Sequence, residues 1–202
     1  MSGEWRDGFL FVGNQVVLDF VNTRPVMDGQ PVELLPDGTA LARWLAGAGL
    51  VDRKESARLQ HRWAGPDSGK KVAGLREFRE RVRKAVFQIE AGESASEGFV
   101  REVNRLLAEY PYGDQIVRGK SRLERQKRFA AEDPADVYAP LAEASARLLT
   151  EADPARIRKC DTCVLHFLDI SKKGTRRWCS MNLCGNRSKV AAYAQRQRET
   201  VD

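Results

Sequence analysis

The chain has 202 residues and a mass of 22.7 kDa, with 42% hydrophobic and only 8% aromatic residues, which allows a modest packed core and excludes wholesale disorder. Its net charge is +6, and no apolar run approaches the roughly 20 residues that a membrane-spanning helix needs. Charges also occupy residues 1–13, where a signal peptide would carry its apolar stretch, so a cytoplasmic protein with no membrane partner is expected.

In chain order, residues 9–12 read as a short strand leading into a helix over 15–22. Asp19 and Asn22 lie one turn apart there, among Val17, Leu18, Phe20 and Val21. Buried polar groups need partners, and these two would find theirs either in a small ligand or in neighbouring backbone. Thr39 is placed as the N-cap of a helix carrying Leu41, Trp44, Leu45 and Ala48 and ended by Gly49. Asp52 and Glu55 have capping-box spacing ahead of Leu59 and Trp63, and His61 in that helix reads as a surface residue.

The clearest periodicity follows. Over 71–88, Leu75, Phe78, Val82, Val86 and Ile89 recur every three or four residues and draw one apolar stripe along a helix that stops near Gly92. Arg76, Arg79 and Arg83 offer an anion pocket as one reading, but with Glu77 and Glu80 interspersed they read as part of its solvated face. Phe99, Val103, Leu106 and Leu107 repeat the pattern before Pro111, and Leu141, Ala144, Leu148 and Leu149 repeat it after Pro140. Residues 112–125, basic and glycine-containing, fit a hairpin or a mobile loop. The expected fold is mainly α: a helical domain over 1–152, a joint at 151–156 containing Asp153 and Pro154, and a small module over 153–202.

That module holds the chemistry. All four cysteines lie in it, as Cys160-x2-Cys163, fifteen residues, then Cys179-x4-Cys184. Without an export signal this pattern points to metal or redox chemistry rather than to a disulfide framework. Two knuckles returned to one point by a hairpin match a single zinc ion held by four thiolates, with an iron–sulfur cluster as the rival. Four protein ligands leave no position for water, so the site is expected to be structural. The hairpin is read from His166 through a Ser-Lys-Lys-Gly turn to Trp178, with a helix over 186–198. The expected module is a treble-clef-like or ribbon-like zinc finger. His166, a fifth possible ligand, is read as a hairpin residue, since the four cysteines already complete the shell.

Between residues 155 and 198, eleven basic side chains face only Asp161 and Asp169, so this segment carries +9 and the rest of the chain −3. Such an asymmetry implies a polyanion partner, most commonly nucleic acid. Projected on a helix, Val190, Ala191 and Ala194 share an apolar arc, while Lys189 and Arg196 lie together on the opposite face as the leading DNA contacts. Arg187 falls near the apolar arc and is expected to be partly structural, bonded to hairpin carbonyls. Arg176 and Arg177, adjacent on a presumed strand, point opposite ways, so at most one joins the contact surface. Lys172 and Lys173 stand at the hairpin tip. Five to seven phosphate contacts would give a salt slope of about −4 to −6.

The motifs Cys160-Asp-Thr-Cys163, Phe167-Leu-Asp169, Arg176-Arg-Trp-Cys179 and above all Cys184-Gly-Asn-Arg187 with Lys189 resemble the CGNR zinc finger over 157–198. Upstream, Val17-Leu-Asp-Phe-Val-Asn-Thr23 and Leu75-Arg-Glu-Phe-Arg-Glu are similar to the ABATE domain, the helical domain of bacterial stress-induced transcription regulators. This resemblance implies a DNA-binding finger, with Cys160, Cys163, Cys179 and Cys184 as metal ligands, and a regulatory role for the helical domain. The partners expected are double-stranded DNA, a small-molecule effector contacting Asp19 and Asn22, and a second copy of the chain. No Walker loop, GxSxG, HExxH or GxGxxG occurs, and the zinc-deaminase pattern is missing its His-x-Glu, so an enzyme is the weakest reading. A protein-interaction adaptor and an RNA-binding module are the alternatives.

Overall fold

A computed structural model describes residues 5–119 and 121–199. Two small hairpins, β1 (Trp5–Arg6) with β2 (Phe9–Leu10) and β3 (Val26–Met27) with β4 (Gln30–Pro31), flank the short helix α1 (Val16–Val21). Helices α2 (Gly38–Gly47), α3 (Arg53–Arg62), α4 (Pro66–Glu90) and α5 (Glu97–Glu109) follow, then the hairpin β5 (Gly113–Arg118) and β6 (Leu123–Arg128), then α6 (Tyr138–Thr150). The carboxy-terminal module contains β7 (Ile157–Lys159), β8 (His166–Leu168), a π-helical turn (Met181–Gly185) and α7 (Asn186–Glu199). The architecture is mainly α with a small carboxy-terminal finger, as its periodicities predict.

The long helix α4 organises the body. It begins at Pro66, earlier than its apolar stripe, because a proline at the first helical position forfeits no hydrogen bond. Val72, Leu75, Phe78, Val82, Val86 and Ile89 are buried along it. The chain leaves it at Gly92, whose φ of 81° suits glycine. Phe78 meets Phe99 of α5 and Tyr138 of α6, and Phe20 of α1 meets Trp44 of α2 at 5.5 Å between ring centroids. Asp37, not Thr39, caps α2, its carboxylate accepting from the Ala40 amide at 2.8 Å; the helix starts at Gly38, so Thr39 is already inside it. Asp52 caps α3 as expected, at 2.7 Å from the Glu55 amide.

Arg79 departs from the reading of a solvated face. It is fully buried, donates to both carboxylate oxygens of Glu33 at 2.8 and 2.6 Å, and reaches the Thr23 hydroxyl at 2.9 Å. Neighbouring Arg83 is mostly buried and donates to the Val21 carbonyl at 2.7 Å, while Arg24 and Glu80 pair at the rim. The loop carrying Glu33 folds over this face of α4 and excludes water from it, which the helix period alone does not register.

Helix α1 is the pivot between body and finger, touching α4, α6 and β8. The edge of β8 that faces away from β7 is satisfied by this segment. The Leu168 amide donates to the Gly13 carbonyl, and the Leu168 carbonyl accepts from the Asn14 side chain, each at 2.8 Å. Gly13 is required here, since a Cβ would lie 2.8 Å from both the Asp19 amide nitrogen and the Leu18 Cβ. A second hydrophobic cluster joins Leu10 and Val12 from the amino terminus to Leu165, Phe167 and three cysteines of the finger. Ile157 and Leu168 pack into the main core. The finger is thus docked on the body, and residues 151–156 run directly from α6 through a single 3-10 turn into β7.

Candidate metal centre and basic surface

The finger hairpin is β7 with β8, paired Ile157 to Leu168 and Lys159 to His166, so the Cys160–Cys163 knuckle sits at its tip. The Cys160 amide closes the knuckle on the Leu165 carbonyl at 2.9 Å. The second arm expected at 176–178 does not form a strand. Buried Asp169 captures the amides of Ser171 at 2.9 Å and Arg176 at 2.8 Å, which folds 169–176 into a closed loop. Burial opposes the charge of Asp169, but the hydrogen bonds from Ser171 and Arg176, aided by Arg158, outweigh it and hold the carboxyl below its usual range. Arginines complete the loop: Arg156 donates to the carbonyls of Asp169 and Ser171, and Arg158 to that of Gly174.

The loop returns the chain to Cys179, and the π-helical turn delivers Cys184. Ser180 starts that turn, its carbonyl accepting from the amides of Cys184 and Gly185, both at 3.0 Å. The four cysteine sulfurs lie within 4.8 Å of one another, three of the residues being buried and Cys163 half-buried. Cys163 Sγ is 3.7 Å from Cys179 Sγ, and Cys179 Sγ is 3.6 Å from Cys184 Sγ. Four thiolates about 2.3 Å from a tetrahedral zinc would be spaced about 3.8 Å apart. The donor set therefore fits a closed metal site with four sulfur ligands.

The electrostatics agree with that fit. Hydrogen bonds from Cys163 and Cys179, then the amides of Cys179 and Thr162, pull the Cys160 thiol far down. The Cys163 thiol is pushed up to about 12 by its bond to Cys160, and that of Cys179 is pushed up further by Cys160 and Cys163. Sulfurs this close oppose one another's ionisation, and a bound cation would offset that repulsion. A cleft of about 400 Å³, lined by Trp5, Met27 and Arg187 among others, reaches Cys163, Cys179 and Cys184.

This geometry is matched by sequence comparison. Residues 14–152 match the model of a family whose description reads "ABATE: Putative stress-induced transcription regulator". The chain belongs to the ABATE family. Residues 156–197 match the CGNR zinc finger. No curated protein matches the chain. The two matched families are a regulator domain and a zinc finger rather than enzyme families. No helix among the described residues is long and apolar enough to cross a membrane.

The basic residues of this ABATE protein divide into two groups. Arg176 turns inward: its guanidinium donates to the carbonyls of Trp178, at 2.6 Å, and Cys179, and lies 4.8 Å from the Phe167 ring centroid. Arg177 turns outward, paired with Asp161 at 2.6 Å and lying over Trp178. Lys172, Lys173, Arg187, Lys189 and Arg196 are exposed. Arg187 makes no hydrogen bond to the hairpin among the described residues, and it lines the cleft beside Cys163, Cys179 and Cys184. The helical wheel assigned Val190 to an apolar arc. In the structure Val190 and Tyr193 are 68% and 60% exposed.

Asn22 and Asp19 both face the finger side of the body. The Asn22 carboxamide is committed to the backbone of His166. Asp19 accepts from the Gly13 amide at 2.7 Å, and burial raises its carboxyl to about 7 against the opposing pull of the Gly13 amide and Arg6. His166 is buried and turned to Glu90 of α4, Nδ1 to Oε1 at 2.9 Å, with Phe87 edge-on to its ring. Sequence reasoning missed the Glu90 contact because the two residues are 76 apart and share no local period.

Proposed function

We propose that this ABATE–CGNR chain is a transcription regulator whose finger binds double-stranded DNA, held in shape by one zinc ion on Cys160, Cys163, Cys179 and Cys184. Bound zinc would supply a four-way crosslink joining the knuckle, the loop and the start of α7, with no open position for catalysis. The observation that carries the reading is the placement of α7. This helix leaves the cysteine cluster into solvent with Arg187, Lys189 and Arg196 exposed, while Lys172, Lys173 and Arg177 are exposed on the neighbouring loop. An exposed helix with a cationic face is the form in which side chains enter a major groove, with flanking lysines on phosphates.

In this reading the helical domain fixes the direction of α7, because the finger core includes Leu10 and Val12 and its strand β8 is bonded to the α1 segment. A change in the body is thereby transmitted to the finger, which is the regulatory role assigned to the ABATE domain. The inward Arg176 holds the fold and is removed from the set of DNA contacts.

Selection of bound fragments from random duplex DNA, with zinc-loaded and chelated protein in parallel, tests this reading. Enrichment of one sequence that is lost on chelation supports it. Retention without enrichment, or none, leaves the adaptor reading, which the exposed Val190 and Tyr193 of α7 favour as a protein-docking face.

A further inference from the structure

The seam between body and finger contains a second cleft, of about 580 Å³, away from the DNA-facing helix. Its volume lies in the range of small-molecule sites. The body contributes an apolar wall, with Ile89 and Gly92 at the end of α4 and Pro154 beyond α6. The finger contributes cations, Arg158 and Lys159 from β7 with Arg176 from the loop.

The carboxylates in the same lining are already committed. Glu90 is bonded to His166, and Asp161 is paired with Arg177. The Arg176 guanidinium donates to the carbonyls of Trp178 and Cys179. Arg158 is bonded through Nη2 to the Gly174 carbonyl and acts on Asp169 only from beyond ion-pair distance, and among the described residues its buried Nε has no hydrogen-bond partner. Lys159 is exposed and has no ion-pair partner among the described residues. Arg158, Lys159 and Arg176, none of them ion-paired among the described residues, therefore border an apolar wall inside one cleft.

We infer that this cleft is an effector site for a small organic oxyanion, a phosphate or carboxylate head on an apolar body. The head meets Arg158 and Lys159, whose N–H groups suit an oxyanion, and the apolar body lies against Ile89 and Pro154. A ligand seated there touches both the end of α4 and strand β7, so it strengthens the docking of finger on body. Asp19 and Asn22 are not needed for it, since their polar groups serve the α1–β8 seam.

The test uses the zinc-loaded full chain and four probes at equal ionic strength: phenyl phosphate, benzoate, inorganic phosphate and neutral benzyl alcohol. Binding is measured by calorimetry and by the shift in melting temperature. Phenyl phosphate or benzoate is expected to bind and to raise the melting temperature, inorganic phosphate to do so less, and benzyl alcohol not at all. Lys159→Gln, which breaks no side-chain hydrogen bond or ion pair among the described residues, is expected to weaken binding roughly tenfold, and Arg158→Gln by at least as much if it folds. Equal shifts from benzyl alcohol and phenyl phosphate, no binding at about 10 mM, or unchanged affinity in Lys159→Gln would overturn the proposal. So would loss of DNA affinity in Lys159→Gln together with competition between phenyl phosphate and DNA, which would make the cleft a seat for a DNA phosphate.

Discussion

Asn22 holds His166 by its backbone. Its Nδ2 donates to the His166 carbonyl at 2.8 Å while its Oδ1 accepts from the His166 amide at 2.9 Å, and both residues are buried. One carboxamide thus offers β8 the two bonds that a neighbouring strand would offer. Asn22→Ala leaves a buried amide and a buried carbonyl unpaired, at a cost of about 3 kcal/mol. Asn22→Asp keeps the acceptor and sets a carboxylate against the carbonyl, so it should be no better. Denaturant melts at saturating zinc check both; a loss under about 1 kcal/mol in each would mean that the seam is open to water.

Removal of metal is expected to undo the finger and spare most of the body, because the main core of α1 to α6 contains none of the cysteines. Mercurial titration should release one zinc per chain. Far-ultraviolet circular dichroism should then keep most of its helical signal while Trp178 fluorescence changes. Cys163→Ser should lose the zinc outright under chelator competition.

For the basic residues, Lys189→Ala and Arg196→Ala should each weaken DNA binding and make the salt slope shallower by about 1. Arg176→Ala should instead lower the melting temperature, since it strips donors from the Trp178 and Cys179 carbonyls at the metal centre. A slope change in Arg176→Ala at unchanged stability would place that side chain on DNA after all.

Arg79→Ala strands Glu33 beside a vacated, buried cavity, and the expected loss is about 3–5 kcal/mol. Arg79→Lys should recover little, because an ammonium cannot make the two parallel bonds to the Glu33 carboxylate that the guanidinium makes. Thermal melts of the two variants decide this.

Asp19 gives the fold a pH dependence. Its carboxyl is raised to about 7 by burial, whereas in the unfolded chain it ionises near 3.8. Between these values the folded state holds a proton that the unfolded state releases, so this contribution to stability falls as pH rises from about 4 to 7. Asp19→Asn, which can still accept from Gly13, should gain stability relative to the natural chain as pH increases through that window. Parallel melts from pH 5 to 8 at fixed zinc measure the difference.

Local pattern was sufficient for much of this molecule. The apolar stripe of α4 is legible because a helix with one buried face must repeat every three or four residues. The paired cysteine spacings likewise announce one shared centre, since thiolates in such knuckles have few other uses. The hairpin β5–β6 was one of two open readings at 112–125, for a strand pair with few buried side chains leaves little hydrophobic period. The tertiary structure alone decided which polar groups are interior. Arg79 looks like its neighbours until the Glu33 loop covers it, and Asn22 and His166 meet across 144 residues. It also decided that Asp169 closes a loop where the hairpin reading placed a second strand, and that Val190 and Tyr193 of α7 stay exposed. Periodicity reports which faces a segment prefers to bury. Whether another segment arrives to cover a face, or to pair a charge on it, depends on contacts distant in sequence, and those exist only once the chain has folded.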